Sequence, residues 1–130
     1  MAYLIDTNIA IHARDGDTKV LDKLVEHDGA VLLSALSLAE LQRGLFKSPE
    51  FTALRQARLA MLLRGIPVLP FDVVAAETYG RIIAEYGWVK GRDFDRMIAA
   101  HAISTGSILV TNNVADFQDI SSLTIENWIV

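Results

Sequence analysis

An α/β fold built on a central, mainly parallel sheet is what this sequence predicts. Short apolar runs alternate with longer stretches of helical spacing from end to end, the pattern of βα units. The short runs are apolar at consecutive positions rather than alternate ones, as in strands buried on both faces. Acidic or polar residues follow the strand ends, where ligands bind in open α/β sheets.

The elements read as follows. Residues 3–5 form the first strand, which stops abruptly at Asp6-Thr7-Asn8. Residues 8–13 form a short helix, and Arg14-Asp15-Gly16-Asp17 is a turn marked by its Asp-Gly pair. From Thr18, a second helix has Val20, Leu21, Leu24 and Val25 at helical spacing and ends at Asp28-Gly29. Residues 30–33 are the second strand. The following helix carries Leu38, Leu41 and Leu45 on one face and closes near Phe46. A longer helix spans 50–64, capped by Gly65.

Residues 66–70 make a short strand punctuated by Pro67 and Pro70, which marks a sheet edge. Asp72 is the N-cap of a helix reaching Tyr86. Residues 87–92 are a loop, and 94–104 form a very apolar helix ended by Gly106. Residues 107–111 hold a fully buried strand, 112–117 a loop or single helical turn, and 123–125 the last strand. About five strands result, flanked by helices. No repeat, low-complexity segment or linker interrupts them, so residues 1–130 are expected to form one domain.

The bulk properties remove several functional classes. The 130 residues suffice for one domain with a real core. No apolar stretch approaches the roughly 18 residues of a membrane span, so no membrane partner is expected. The N-terminus has no basic region and runs straight into a strand, so no signal peptide is expected. The absence of Cys excludes disulfides and thiolate metal sites and fits a cytoplasmic location. A net charge of −4 argues against a broad basic surface for nucleic acid. Any such binding must use local Lys and Arg or metal-bridged phosphates.

The acidic residues carry the functional argument. Asp6 ends the first strand, Glu40 lies in the first turn of the helix after the second, Asp95 opens the helix before the fourth, and Thr111, Asn113 and Asp116 follow the fourth. Four carboxylates converging on one sheet edge repel one another unless a cation neutralises them. Hard divalent cations take oxygen ligands, and Mg²⁺ is held by one or two carboxylates plus waters and substrate phosphates. Metal-assisted phosphodiester hydrolysis fits such a site.

Each residue also has a plain reading. Asp6 can cap the helix that follows it. Glu40 completes Ser37-Leu38-Ala39-Glu40, a capping-box pattern. Asp95 suits a helix N-terminus, and Asp93 competes for its role. Asp116 can be a turn residue. Arg43, Lys47, Lys90, Arg92 and Arg96 lie near the presumed pocket in sequence and are candidate phosphate contacts, with solvated surface charge as the alternative. His101, on a small-residue helix, reads as a packed histidine, and His12 and His27 lack metal-ligand spacing. Trp88 and Trp128 read as packing residues before base-stacking ones.

Together these blocks resemble a known family. Leu4-Ile5-Asp6-Thr7-Asn8, Ser34 to Leu41, Asp95-Arg96-Met97-Ile98-Ala99-Ala100-His101-Ala102, Leu109 to Asn113 with Asp116-Phe117, and the tail Glu126-Asn127-Trp128 are similar, in order, to the PIN-domain ribonucleases, and especially to VapC toxins. The resemblance implies a PIN-like fold and a Mg²⁺- or Mn²⁺-dependent endoribonuclease. It assigns catalytic positions to Asp6, Glu40, Asp95 and Asp116, with Asp6, Asp95 and Asp116 as metal ligands and Asn113 competing for the fourth place. Thr7, Asn8, Thr111 and Asn113 become supporting polar residues. Phe94 departs from the family, many of whose members carry Asn there.

The resemblance also implies a homodimer, held inactive by a VapB-type antitoxin whose tail lies along an apolar groove. Leu38, Leu41, Leu45, Phe46 and residues 59–63 are the groove candidates. Operator DNA is then bound only indirectly, through the antitoxin. RNA, with tRNA leading by analogy, is the expected substrate, and its cleavage would inhibit translation and growth. The alternative is a non-catalytic PIN-fold module that binds RNA or a protein. Receiver-type and haloacid-dehalogenase-type phosphoryl chemistry fits less well: strand one ends Asp-Thr-Asn, without the second acidic residue those sites need.

Overall fold

The computed structural model describes all residues from Met1 to Val130. Its strands are β1 (Ala2–Ile5), β2 (Val31–Ser34), β3 (Val68–Leu69), β4 (Ser107–Val110) and β5 (Ile125–Glu126). They form a single sheet in the order β3-β2-β1-β4-β5, with every pairing parallel. Proline-flanked β3 sits at one edge, as the sequence predicts. The helices are α1 (Thr7–Arg14), α2 (Thr18–Glu26), α3 (Ala35–Leu45), α4 (Thr52–Leu63), α5 (Val73–Tyr86) and α6 (Asp93–Ser104). Short 3₁₀ turns occupy Pro49–Phe51 and Val114–Asp116.

Alternation along the strands splits the core into two layers. Ile5, Val31, Leu33 and Val110 face one side, packed with Ile9, Leu41, Leu45 and Leu59 from α1, α3 and α4. Leu4 and Leu109 face the other, against Ile82 of α5 and Ile98, Ala99 and Ala102 of α6. The alanines of α6 let that helix approach the sheet closely. This two-sided burial is why the strands read as unbroken apolar runs rather than as alternating ones.

Small differences from the sequence reading have local causes. The helix expected over 50–64 divides into a 3₁₀ turn and α4, because Pro49 starts a tight turn before Thr52 donates its hydroxyl to the Leu45 carbonyl at 2.6 Å. The third strand shrinks to Val68–Leu69 between its prolines, and the last shifts to Ile125–Glu126. That shift follows the ladder, since Glu126 pairs with Val110.

One expectation is corrected. The Ser37–Glu40 capping box does not form: α3 begins at Ala35, and Ser34 is its N-cap, accepting from the Leu36 N–H at 3.1 Å. Glu40 is thereby one turn inside the helix and free to point into the sheet edge. The expected groove residues divide between core and surface: Leu41, Leu45 and Leu59 are buried, and Leu45, Leu59 and Leu63 also line a small depression between α3 and α4. An apolar groove of about 630 Å³ lies between α2 and α4, lined by Leu21, Leu24, Val25, Met61, Leu62 and Ile66. No helix is long and apolar enough to cross a membrane.

The strand order puts the site where the topology reverses. The chain runs outward from β1 to β2 and β3, then returns to place β4 on the other flank of β1. The carboxyl ends of β1 and β4 thus flank a topological switch point. The Asp6 N–H is tied to the Val110 carbonyl at 3.0 Å, which fixes the end of β1 beside β4.

Candidate active site

Asp6 leaves β1 and immediately caps α1. Its Oδ1 accepts from the Ile9 N–H at 2.9 Å, so the capping and site readings both hold. The side chain is only 8% exposed. Burial pushes its carboxyl above the ordinary carboxylate range; bonds from the Thr111 hydroxyl and the Ile9 N–H oppose this, and nearby Glu40 adds to it. The residues at hand solvate the Asp6 carboxylate incompletely.

Glu40 comes from α3 on the flank of β2. Its Oε1 accepts from the Thr7 hydroxyl at 2.6 Å, and Oε2 lies 3.9 Å from Arg43, which is 72% exposed. Thr7 thus fixes one carboxylate oxygen and leaves the other toward the opening. Asp95, in the first turn of α6, is half-buried. Its carboxyl is also raised, first by burial and then by Asp116, with Asp6 and Glu40 contributing and Arg92 opposing.

These side chains meet. A cleft of about 150 Å³ is lined by Asp6, Thr7, Asn8, Glu40, Phe94, Asp95, Ile98, Asn113 and Phe117. The sequence-predicted residues Asp6, Glu40 and Asp95, with Thr7, Asn8 and Asn113, are therefore brought to one place. Thr111 is fully buried behind them, its hydroxyl accepting from the Asn113 N–H at 3.0 Å and helping to lower the Asp6 pKa against the effect of burial. Asp116 stands aside from the lining and is paired with Arg92 at 2.6 Å. Asn113 lines the cleft where Asp116 does not.

The competition between Asp93 and Asp95 is resolved by hydrogen bonding. Asp93 Oδ1 accepts from the Tyr79 hydroxyl at 2.9 Å and from the Trp88 indole N–H at 2.8 Å. It ties α5 and the 87–92 loop to α6 and takes no part in the cleft. Asp93→Asn should therefore leave the affinity of the cleft for a divalent cation near that of wild type, whereas Asp95→Asn should weaken it; parallel titrations with Mn²⁺ check the pair.

Arg96 is corrected. It is 3% exposed and bonds Asp119 at 2.6 Å, so it is a buried structural cation rather than a phosphate contact. Its helical position put it near the pocket in sequence, but it points toward the 117–123 segment. His101 is a packed residue, as expected, bonding Ser34 Oγ through Nδ1 at 2.8 Å with Phe71 edge-on. Its burial holds its pKa below the usual range. Trp128 is buried against Tyr3 and His27. The role of Arg92 beside two acidic residues was missed by sequence reasoning. Its place directly before α6, one turn from Asp95, was the available signal.

The donor set suits a hard cation. Carboxylate, amide and hydroxyl oxygens line the cleft, without thiolate or imidazole. Buried Asp6 and half-buried Asp95 have raised pKa values, and no basic side chain is in the lining. No group of three or more His, Cys, Asp or Glu converges tightly enough to chelate an ion. The fit is to a hydrated dication held by one or two carboxylates and water, as Mg²⁺ is usually held.

A parallel α/β sheet with an acidic cleft at its switch point defines the class of fold, and comparison with known proteins gives the family. Residues 3–123 match the PIN domain family. Ribonuclease VapC2 of Rickettsia felis is 33% identical, the match covering 98% of each chain. The tRNA(fMet)-specific endonuclease VapC of Shigella flexneri is 34% identical, again over 98% of each chain. A crystal structure of DNA-bound VapBC from Salmonella typhimurium superposes with a TM-score of 0.88 at 29% identity, covering 98% of each chain. The chain belongs to the PIN-domain family, in its VapC ribonuclease group.

Proposed function

We propose that this protein is the toxin of a VapBC-type toxin–antitoxin pair and acts as a Mg²⁺- or Mn²⁺-dependent endoribonuclease on tRNA. The observation that carries the reading is the cleft itself: Asp6, Glu40 and Asp95 line one opening, two of them with raised pKa and none with a cation in the lining. Asp6 and Asp95 would hold the cation, with Asp116 contributing through water. A bound dication supplies charge for the developing phosphorane and acidifies a water.

This chain's own residues do the rest. Thr7 fixes one oxygen of Glu40 at 2.6 Å, which leaves the other to orient the attacking water and take its proton. The water oxygen bonds to phosphorus in line as the P–O3′ bond breaks. The departing 3′ oxygen takes up a proton, leaving a 5′-phosphate and a 3′-hydroxyl. Asn113 and Asn8 offer amide groups to phosphate oxygens at the rim. Exposed Arg43 stands 3.9 Å from Glu40, placed to meet the RNA backbone.

The tRNA assignment is supported by the Shigella relative named as a tRNA(fMet)-specific endonuclease. An antitoxin partner is supported by the VapBC complexes among the structural relatives, of which those of Salmonella typhimurium and Rickettsia felis are DNA-bound. The α2–α4 groove is the apolar surface such a partner would cover. On this reading the protein contacts operator DNA only through the antitoxin, forms a homodimer, and works in the cytoplasm.

Partner-free protein incubated with total tRNA and Mg²⁺ tests the substrate. Discrete tRNA fragments, with ribosomal RNA intact in a parallel reaction, are expected. Cleavage of ribosomal RNA alone would overturn the tRNA assignment. Tight RNA binding without any cleavage would favour a non-catalytic module.

A further inference from the structure

Arg92 brings a positive charge into the acidic constellation from this chain itself. Its Nη1 lies 2.6 Å from Asp116 Oδ1 and 3.8 Å from Asp95 Oδ2. It stands directly before α6, after Gly91 (φ +80°), whose left-handed backbone turns the chain into the helix. Both partners of the short ion pair are about one-third exposed, at 40% and 35%. Asp116 is thereby held outside the cleft that Asp6, Glu40, Asp95 and Asn113 line. No three acidic side chains lie close enough together to chelate an ion.

We propose that Arg92 is a partner-exchanging residue: it holds Asp116 when the cleft is metal-free, and is released to an RNA phosphate when a divalent cation takes that carboxylate. The proposal rests on the metal-dependent nuclease reading. Charge carries the argument. A guanidinium and a dication are alternative counter-ions for the Asp95–Asp116 pair, and they repel each other when both are near it. An ion pair this exposed is weak and exchangeable, so its rupture is not a barrier. Released, the planar guanidinium stands at the rim of the cleft with donors matched to a phosphate. Arg43 reaches Glu40 only at 3.9 Å and is far more exposed, so it lacks the short contact that makes Arg92 a competitor.

The two states give Arg92 effects of opposite sign. Removing one positive charge beside a dication corresponds to roughly tenfold in affinity in a water-like dielectric. RNA-free full-length protein would be titrated calorimetrically with Mn²⁺ as wild type, Arg92→Ala, Arg92→Lys, Asp116→Asn, Asp6→Asn and the Arg92→Ala/Asp116→Asn double variant. Arg92→Ala should bind Mn²⁺ about tenfold more tightly, Arg92→Lys should stay near wild type, and adding Asp116→Asn to Arg92→Ala should remove most of the gain. In cleavage assays at saturating Mn²⁺, Arg92→Ala should raise KM for tRNA several-fold with kcat less affected. A merely structural role would weaken metal and RNA binding together.

Unchanged or weaker Mn²⁺ binding by Arg92→Ala overturns the exchange, and an unchanged KM overturns its phosphate half. If Asp6→Asn abolishes Mn²⁺ binding while Arg92→Ala leaves it as in wild type, only the role of Arg92 falls. If wild type itself binds no Mn²⁺, the nuclease reading falls, and this proposal with it.

Discussion

Asp6→Asn is expected to lower tRNA cleavage by about 10²–10⁴-fold, the range for losing a positioned catalytic group, while the metal-free protein melts a few degrees higher at neutral pH. The two effects share one cause. The Asp6 carboxylate is buried, and its pKa is raised chiefly by that burial. Its charge therefore weighs against folding whenever pH exceeds the folded pKa. Asn removes the charge but keeps an oxygen for the Ile9 N–H at the α1 N-cap, where Asn and Asp are equally suited. Calorimetric melting beside a cleavage time course checks both halves. Lost activity with a large drop in melting temperature would mean that Asp6 is structural. A site that keeps a costly buried charge for the sake of its chemistry shows the usual trade of stability against activity.

Divalent cation should stabilise the wild-type protein in a strongly pH-dependent way. At a hundredfold excess over Kd, binding to the folded state alone adds about 2.7 kcal/mol, on the order of 10 °C for a domain of this size. Asp6 and Asp95 both have folded pKa values above their unfolded ones. In the metal-free protein, their contribution is therefore most favourable at acid pH, where both are protonated, and is lost as pH rises through the raised folded values. A cation needs the ionised carboxylates and acts in the opposite sense. Its stabilisation is full at neutral pH and vanishes as pH falls through those same values. Melting curves with Mg²⁺ and with EDTA should thus converge at acid pH, where both carboxyls are protonated, and separate toward neutral pH. Asp6→Asn should bring the two curves together at every pH.

Most of the fold was legible because each layer left its own mark in the sequence. Two-sided burial of Leu4-Ile5, Leu32-Leu33 and Leu109-Val110 produced the apolar runs. Pro67 and Pro70 marked the edge strand, and Asp72 marked the start of α5, where it caps Ala75 at 2.9 Å. The convergence of Asp6, Glu40 and Asp95 followed from placing each after or before a strand of a parallel sheet. What was not legible depended on side-chain direction. Asp93 and Asp95 lie two residues apart on α6, about 200° around the helix, so one meets Tyr79 and Trp88 and the other the cleft. Sequence position alone gave Arg92 and Arg96 the same role, yet one is a rim residue and the other a buried partner of Asp119. The groove was legible only in part for a similar reason: α4 turns Leu59 into the core and Met61 and Leu62 toward α2, and apolar character cannot separate the two faces.

The most direct test is metal rescue of cleavage by one preparation. EDTA-stripped wild type, Asp6→Asn and Asp93→Asn would each be given purified tRNA, first without metal and then with Mn²⁺ restored. A cation-dependent nuclease centred on Asp6 predicts intact tRNA in every stripped sample. On Mn²⁺ addition, wild type and Asp93→Asn should yield the same fragments with 5′-phosphate ends, and Asp6→Asn should remain inactive. Equal cleavage in EDTA, or full rescue of Asp6→Asn by Mn²⁺, would contradict that account of the cleft.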